Sequence, residues 1–594
     1  MEITRTFDLL ERYKNNFANK KDVLATKQNG EWIKYTTQQY IDYSYYSAYG
    51  LLALGLNKGD KIITITNNRP EWNFVDMGMS MAGIIHVPVF TSLSNEEYKK
   101  IIKHSDASLV IVSDKKLFNK INTIAKEIEA IKEVYTFDKI EGAKNYQEII
   151  ELGKKSKSYY QEEVEKIKSE ITTEDFATLI YTSGTTGTSK GVMLSHKNLV
   201  RNFLAAAGIF TMKADEKYLS ILPLCHVGGR MGNYQTQYSG TSIYYAENMG
   251  TMAANMKEIQ PHGFDTVPRI LEKVFDNVIA KGKKLKGFKK SLFFWAVDLG
   301  LKFKIKSERS FVYNIKLKIA DKLIFSKWRE ALGGKIEKVG CGGASLQPRL
   351  ERVFWAAGIK VLNMYGLTET SPIITINRST EPDLKFGSVG ALIEGVELKI
   401  SHDGEILCKG HNVMLGYYKD PELTKSVFDD EGWFHTGDIG HIDDDNFLFV
   451  TDRKKEIFKL SSGKFVAPQI IENKLKESEI IEQSIVFGEH EKFASALIYP
   501  NFSYLKDWCV TNNLSCNSNN EIIQSPQIFD FINKEIKKIN NTLNDSERIK
   551  RFKLVSDEWT PESGELSPTL KLKRKFIEKK YEKIIEQIFA KQTI

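Results

Sequence analysis

The segment Tyr181-Thr-Ser-Gly-Thr-Thr-Gly-Thr-Ser-Lys190-Gly191 has the composition of an anion site. Glycines 184, 187 and 191 free backbone N–H groups to converge on one centre. Four threonines and two serines, among them Thr182, Ser183, Thr185 and Thr186, add hydroxyl donors, and Lys190 adds a positive charge. Two readings fit: a phosphate cradle, or the Gly/Thr hairpin that any α/β protein can carry. A Walker-type P-loop does not fit, because Lys190 precedes Gly191 rather than Ser or Thr, and a strand pattern follows instead of a helix.

The flanking residues must position this loop. Residues 178–181 and 191–194 read as strands, and Ser195 ahead of 196–199 reads as a helix N-cap. Upstream, 61–66, 84–90 and 108–113 read as strands, with a helix over 72–81. Strands separated by helical segments predict layered α/β sheets.

At 594 residues the chain is too long for one core, so at least two domains are expected. Hydrophobic residues make up 42% and charged residues 27%, the balance of a soluble globular protein. The net charge of +8 permits contact with nucleotides, CoA or an anionic membrane and selects none of them. The five cysteines form no CxxC pair, which argues against a zinc site or a disulfide framework and for a reducing compartment. No signal peptide is read at the N-terminus, and no run of 18 apolar residues occurs, so a cytoplasmic protein is the default expectation.

The expected boundary lies near residue 452, after a turn at Asp443-Asp-Asp-Asn446. Residues 1–451 then form a large N-terminal domain, and 452–594 a small C-terminal one that is lysine-rich and mostly helical in pattern. The stretch 281–306 is strongly basic and encloses the apolar run Ser291-Leu-Phe-Phe-Trp-Ala-Val297. It reads either as a surface helical hairpin with solvated lysines or as a patch for anionic lipid.

Further segments follow the loop in a telling order. They are Leu222-Pro-Leu-Cys-His226, Gly342-Gly343-Ala344, Asn363-Met-Tyr365-Gly366-Leu-Thr368-Glu369-Thr370, Trp433-Phe-His-Thr-Gly-Asp438, Asp452-Arg453-Lys-Lys-Glu456 and Pro568-Thr-Leu-Lys571. Together the set resembles the adenylate-forming superfamily of acyl-CoA synthetases, luciferases and peptide-synthetase adenylation domains. The resemblance covers nearly the whole chain. It implies an α/β fold, with a large multi-subdomain N-terminal domain and a small mobile α+β C-terminal domain.

It also implies roles. The loop from Thr182 to Gly187 and Lys190 would hold the ATP phosphates. Gly342, Gly343 and Ala344, with Tyr365, Gly366 and Thr368, would form the adenine side. Asp438 and Arg453 would contact the ribose, and Thr182 and Glu369 would ligate Mg²⁺. His226 resembles a substrate-side histidine, although a structural role is the alternative. Asp452 matches the hinge. Lys571 resembles the mobile catalytic lysine, with Lys573 as the second choice. Many members carry glycine before that lysine, where this chain has Leu570. Many long-chain members carry a bulky residue and Glu where Gly228 and Gly229 stand.

Asn68-Arg-Pro-Glu-Trp72, Thr266-Val-Pro-Arg-Ile-Leu-Glu-Lys273 and 460–472 resemble the long-chain acyl-CoA synthetases, as does the basic insertion between Lys281 and Lys335. That similarity implies ATP, CoA and a fatty acid as substrates, with Ser461, Ser462 and Gly463 beside the CoA arm. An acyl-AMP ligase that loads an acyl carrier protein is the alternative, and a non-catalytic binding protein a third reading. Nucleic acid is not among the implied partners. Chain-length preference and oligomeric state are not legible.

Overall fold

The computed structural model describes residues 2–183, 189–380, 382–514, 518–567 and 569–590. The chain divides into two compact units. The first comprises Met1–Leu271, Ala280–Leu398 and Cys408–His435, and the second Glu272–Ile279, Lys399–Leu407 and Thr436–Ile594. Packing thus groups residues 436–451 with the C-terminal residues, upstream of Asp452.

The described residues of the first unit build an eight-stranded and a nine-stranded sheet. In the eight-stranded sheet, Lys61–Ile65 pairs in parallel with Ile85–Val89 and with Leu109–Val112. Their side chains are almost all buried, as expected of β-branched strands covered by helices on both faces. The expected helix is Pro70–Met81, opened by a proline at its first position and buried on nearly every side.

Phe176–Ser183 and Ser189–Ser195 form the antiparallel hairpin that frames the loop, with Thr182 opposite Lys190. Ser195 caps the next helix by accepting from Asn198 N–H. In the nine-stranded sheet, Lys338–Cys341 runs parallel to Lys360–Gly366, with Cys341 opposite Asn363. This register sets the turn at Gly342 beside the end of the Tyr365 strand.

The second unit centres on a three-stranded sheet of Ile481–Phe487, Ser495–Pro500 and Arg551–Leu554. The helices Pro468–Leu475, Phe502–Thr511 and Pro526–Asn540 supply Ile471, Leu505, Ile528 and Ile532 to its core. A hairpin of Phe434–Ile442 and Leu448–Arg453 turns at Asn446, whose φ of 65° asparagine tolerates better than most residues. Among the described residues no helix is long and apolar enough to cross a membrane.

Candidate active site

The register of the 176–195 hairpin puts Thr182 and Lys190 side by side. Lys190 Nζ lies 5.0 Å from the ring centre of Tyr417. The Tyr417 hydroxyl donates to Glu369 Oε1 at 2.9 Å, while the Glu369 carbonyl accepts from Met414 N–H at 2.9 Å. Tyr417 therefore joins the lysine of the phosphate segment to the expected metal ligand. Sequence reasoning passed it over. No local pattern marks it: Gly416–Tyr417 is a two-residue strand whose pairing with 192–193 brings it next to Lys190. Burial holds the Tyr417 hydroxyl well above its ordinary pKa, with the Glu369 charge adding to the effect, so it remains a donor. Gly184, Thr185, Thr186 and Gly187 lie outside the described residues. Ser183 ends the first strand, opposite Ser189.

Of the residues expected to form the adenine side, Tyr365 and Gly366 end their strand, and Thr368 sits with Glu369 in a single 3₁₀ turn. A Cβ on Gly366 would lie 1.7 Å from the Pro372 carbonyl oxygen, so no other residue fits there. Gly342 and Gly343 are half-buried and Ala344 is exposed. Gly342 N–H donates to Thr266 C=O at 3.2 Å, which ties this turn to the neighbouring strand.

His226 is the N-cap of helix Val227–Tyr238. Its Nδ1 accepts from Gly228 N–H at 3.1 Å, which leaves the proton of the neutral ring on Nε2. The structural role held open for this residue is thus occupied at one nitrogen. Asn68 holds the preceding turn by donating to Leu222 C=O and accepting from Leu224 N–H. A Cβ on Gly229 would lie 2.3 Å from the Pro223 carbonyl oxygen. That contact disfavours any side chain at 229, whereas a Cβ on Gly228 would meet only the His226 ring, at 3.2 Å.

A buried polar network anchors the same helix. Asp76 Oδ1 accepts from Arg230 Nη2 at 2.5 Å and is paired with His86 Nδ1 at 2.6 Å; Oδ2 accepts from the Tyr234 hydroxyl at 2.6 Å. Arg230 Nη1 also donates to Thr178 Oγ1 at 2.5 Å, on the strand that leads to Thr182. Burial alone would raise the Asp76 pKa, but Arg230, His86 and Tyr234 outweigh it and hold the carboxyl below its ordinary value. Burial lowers His86 to about 4, so its ring is neutral at pH 7. The Arg230 guanidinium thereby ties the His226 helix to the loop-bearing strand, and the Asp76 carboxylate holds that guanidinium in place.

In the second unit, Asp438 and Arg453 face each other across the hairpin, with Nε 3.3 Å from Oδ1. Asp438 is buried and Arg453 half-exposed, which leaves a carboxylate and a guanidinium at one edge. Asp452 is buried, and accepts from Gln469 N–H at 2.8 Å and from Arg453 N–H at 2.7 Å. Burial pushes its carboxyl up to about 7, with Glu472 and Glu456 adding to the shift and the two N–H donors opposing it. Ser461, Ser462 and Gly463 form an exposed turn between two short strands.

Lys571 sits in a tight turn. Ser567 N–H donates to Lys571 C=O at 2.7 Å, and Lys571 N–H donates to Ser567 Oγ at 3.0 Å. Lys573 is the N-cap of helix Arg574–Lys580, with its Nζ 5.8 Å from the Phe576 ring centre. Arg574 then grips Glu472 through both carboxylate oxygens, at 2.8 and 2.9 Å.

Leu570 has φ of +61°, the conformation for which glycine is the usual choice. Its side chain packs against the cluster of Ile485, Phe487 and Trp559. Left-handed backbone costs a non-glycine residue about 1–2 kcal/mol. Leu570→Ala loses the packing and keeps the strain, whereas Leu570→Gly loses the packing and relieves it. We expect the glycine variant to be the more stable of the two by about 1 kcal/mol, the reverse of the usual order. Urea melts of the pair check this, and an alanine variant at or above the glycine one refutes it.

Comparison with known proteins follows the same lines. A model described as AMP-binding enzyme matches residues 12–418, and one described as AMP-binding enzyme C-terminal domain matches 455–593. The long-chain-fatty-acid–CoA ligase FadD15 of Mycobacterium bovis is 30% identical over 95% of this chain and 94% of its own. The human long-chain-fatty-acid–CoA ligase ACSBG2 is 29% identical over 95% of this chain and 90% of its own. Among solved structures, the adenylation domain of a Mycobacterium chelonae carboxylate reductase superposes with a TM-score of 0.77 at 20% identity, over 99% of this chain and 91% of that one. That last likeness bears on fold alone, and it agrees with a mixed α/β architecture of a large N-terminal and a smaller C-terminal part. On the match over most of its length, the chain belongs to the AMP-binding enzyme family.

Proposed function

We propose that the chain is a long-chain fatty acid–CoA ligase. It converts ATP, a fatty acid and CoA to acyl-CoA, AMP and diphosphate through an acyl-adenylate. The observation that carries the ATP half is the Lys190–Tyr417–Glu369 arrangement beside Thr182. The acid and the thiol are supported by relatives named as long-chain-fatty-acid–CoA ligases along nearly the whole chain.

In the first step the fatty carboxylate attacks the α-phosphate and diphosphate leaves. Two anions must meet, so charge neutralisation carries most of the catalysis. Lys190 and the loop residues hold the β- and γ-phosphates. Tyr365, Gly366 and Thr368, with Gly342 to Ala344, receive the adenine. Asp438 accepts from the ribose hydroxyls and Arg453 adds a donor. Lys571 bridges the carboxylate and the α-phosphate.

Glu369 and the Thr182 hydroxyl are oxygen donors of the kind that Mg²⁺ prefers. Among the described residues no group of three or more His, Cys, Asp or Glu could hold a metal. One carboxylate with phosphate oxygens and water is the usual Mg²⁺ environment, so the residues fit. When bound, the ion supplies positive charge against the phosphates. Tyr417 fixes the rotamer of Glu369 and so the direction of its carboxylate.

In the second step the CoA thiol attacks the acyl-adenylate carbonyl and AMP leaves. Lys571 serves only the first step. A rotation of residues 452–594 about Asp452 would exchange it for the Ser461-Ser-Gly463 turn beside the pantetheine arm.

The test supplies purified protein with MgATP, CoA and acids from octanoate to stearate. AMP and acyl-CoA should form in equal amounts, fastest with the longer acids. Diphosphate release without thioester from any acid would overturn the CoA reading. Acyl transfer to a holo acyl carrier protein but not to CoA would make the chain an acyl-AMP ligase.

A further inference from the structure

The insertion between Lys281 and Lys335 contains an apolar surface that the first unit leaves uncovered. In helix Phe311–Ala320 and the turn after it, Phe311 is 79% exposed, Val312 59%, Ile315 and Ile319 45% each, and Leu323 41%. Four of them recur every fourth residue and so form one slanted stripe, with Val312 beside it. The opposite side fixes the helix. Ala320, Ile324 and Phe325 are buried, and the Tyr313 hydroxyl donates to Leu299 C=O at 3.1 Å. Exposed Lys316, Lys318 and Lys322 border the stripe. Phe288, 79% exposed, opens the neighbouring helix Gly287–Leu301 next to Lys289 and Lys290.

The apolar run at 291–297 is partly consumed by packing. Phe293, Ala296 and Val297 are buried, and Phe293 lies against Phe294 and Trp328. Apart from Phe288, the uncovered apolar surface of the insertion therefore lies at 311–323, beyond the basic stretch 281–306.

We propose that this stripe docks onto an anionic lipid bilayer, with the phenylalanine and isoleucine side chains in the acyl boundary and the lysines at the headgroups. Charge selects this occupant. Residues 281–322 hold twelve lysines and one arginine against three acidic residues. A second copy would set two such basic rims face to face, whereas anionic headgroups complement them. A helix with apolar residues on one side and lysines along its borders is the form that lies in a membrane interface. The attachment is peripheral and independent of the ligase reading.

The test sediments the full chain with vesicles of phosphatidylcholine alone and of phosphatidylcholine with phosphatidylglycerol. Two variants are compared: Phe311→Ser/Ile315→Ser/Ile319→Ser, and Lys316→Glu/Lys318→Glu/Lys322→Glu. Wild type should pellet with the anionic vesicles, more weakly as salt rises, and each variant should lose at least about tenfold in partitioning. Because the changed side chains are exposed, both variants should melt with wild type. Both should also release diphosphate from ATP and octanoate at the wild-type rate without vesicles. Absent wild-type binding, or binding unchanged in both variants, overturns the proposal. So does a wild-type dimer that the serine variant dissociates, or loss of vesicle-free activity in the variants. Vesicle binding by a protein without ligase activity would leave this proposal standing and remove the one before it.

Discussion

Replacing Arg230 with methionine should destabilise the first unit by about 3–5 kcal/mol, the cost of leaving a buried carboxylate without its counter-charge. Asp76 is 2% exposed and has Arg230 as its cationic partner, while the other groups it meets are the neutral His86 ring and the Tyr234 hydroxyl. Arg230→Lys recovers little, because one ammonium cannot reach Asp76, Tyr234 and Thr178 with a planar fork. Arg230→Met combined with Asp76→Leu removes both charges and should regain most of the loss. Pulse proteolysis in a urea series reads the order wild type, double variant, single variant. A single variant within about 1 kcal/mol of wild type would show that the network is not the anchor described.

Lys571→Ala should reduce acyl-adenylate formation by about 10²–10³-fold, the usual penalty for removing one group aimed at developing negative charge. Lys573→Ala should leave the rate within a few-fold of wild type. Thioester formation from pre-made acyl-adenylate and CoA should survive in both variants, since the proposed mechanism uses the lysine in the first step alone. Single-turnover measurement of each half-reaction separates the cases. If Lys573→Ala carries the loss instead, the assignment moves by two residues. If neither variant loses rate, charge at the reacting centre comes from elsewhere in the chain.

Much of the architecture was legible because it is local. The alternation of β-branched runs and helical patterns between 61 and 113 gave strands and a helix whose ends shift by only a few residues. The loop-framing hairpin and the Ser195 cap were readable for the same reason. What escaped is contact between distant segments. Nothing near Tyr417 in sequence points to Lys190 or Glu369, because strand pairing brings them together. The Asp76–His86–Arg230 network joins a helix, a strand and a second helix; the first two were legible, but nothing in the linear text connects their side chains to Arg230. The apolar stripe was missed because exposure depends on which face a helix turns inward. Phe293 and Phe311 have the same side chain, and only packing separates them. Family resemblance supplied the roles of Asp438, Arg453 and Lys571, which spacing alone would not.

The crowding at Gly229 bears on attempts to retarget the enzyme. Swapping in residues from a relative with different acid preference is a common engineering route, and the positions after His226 are a natural place to try it. Here a side chain at 229 would collide with the Pro223 carbonyl, which belongs to the turn held by Asn68. A single exchange would therefore break the scaffold before it altered selectivity. The unit of transfer is the whole block from 220 to 234, together with Asn68 and Asp76, and chimeras cut inside it should misfold while those cut outside it remain whole.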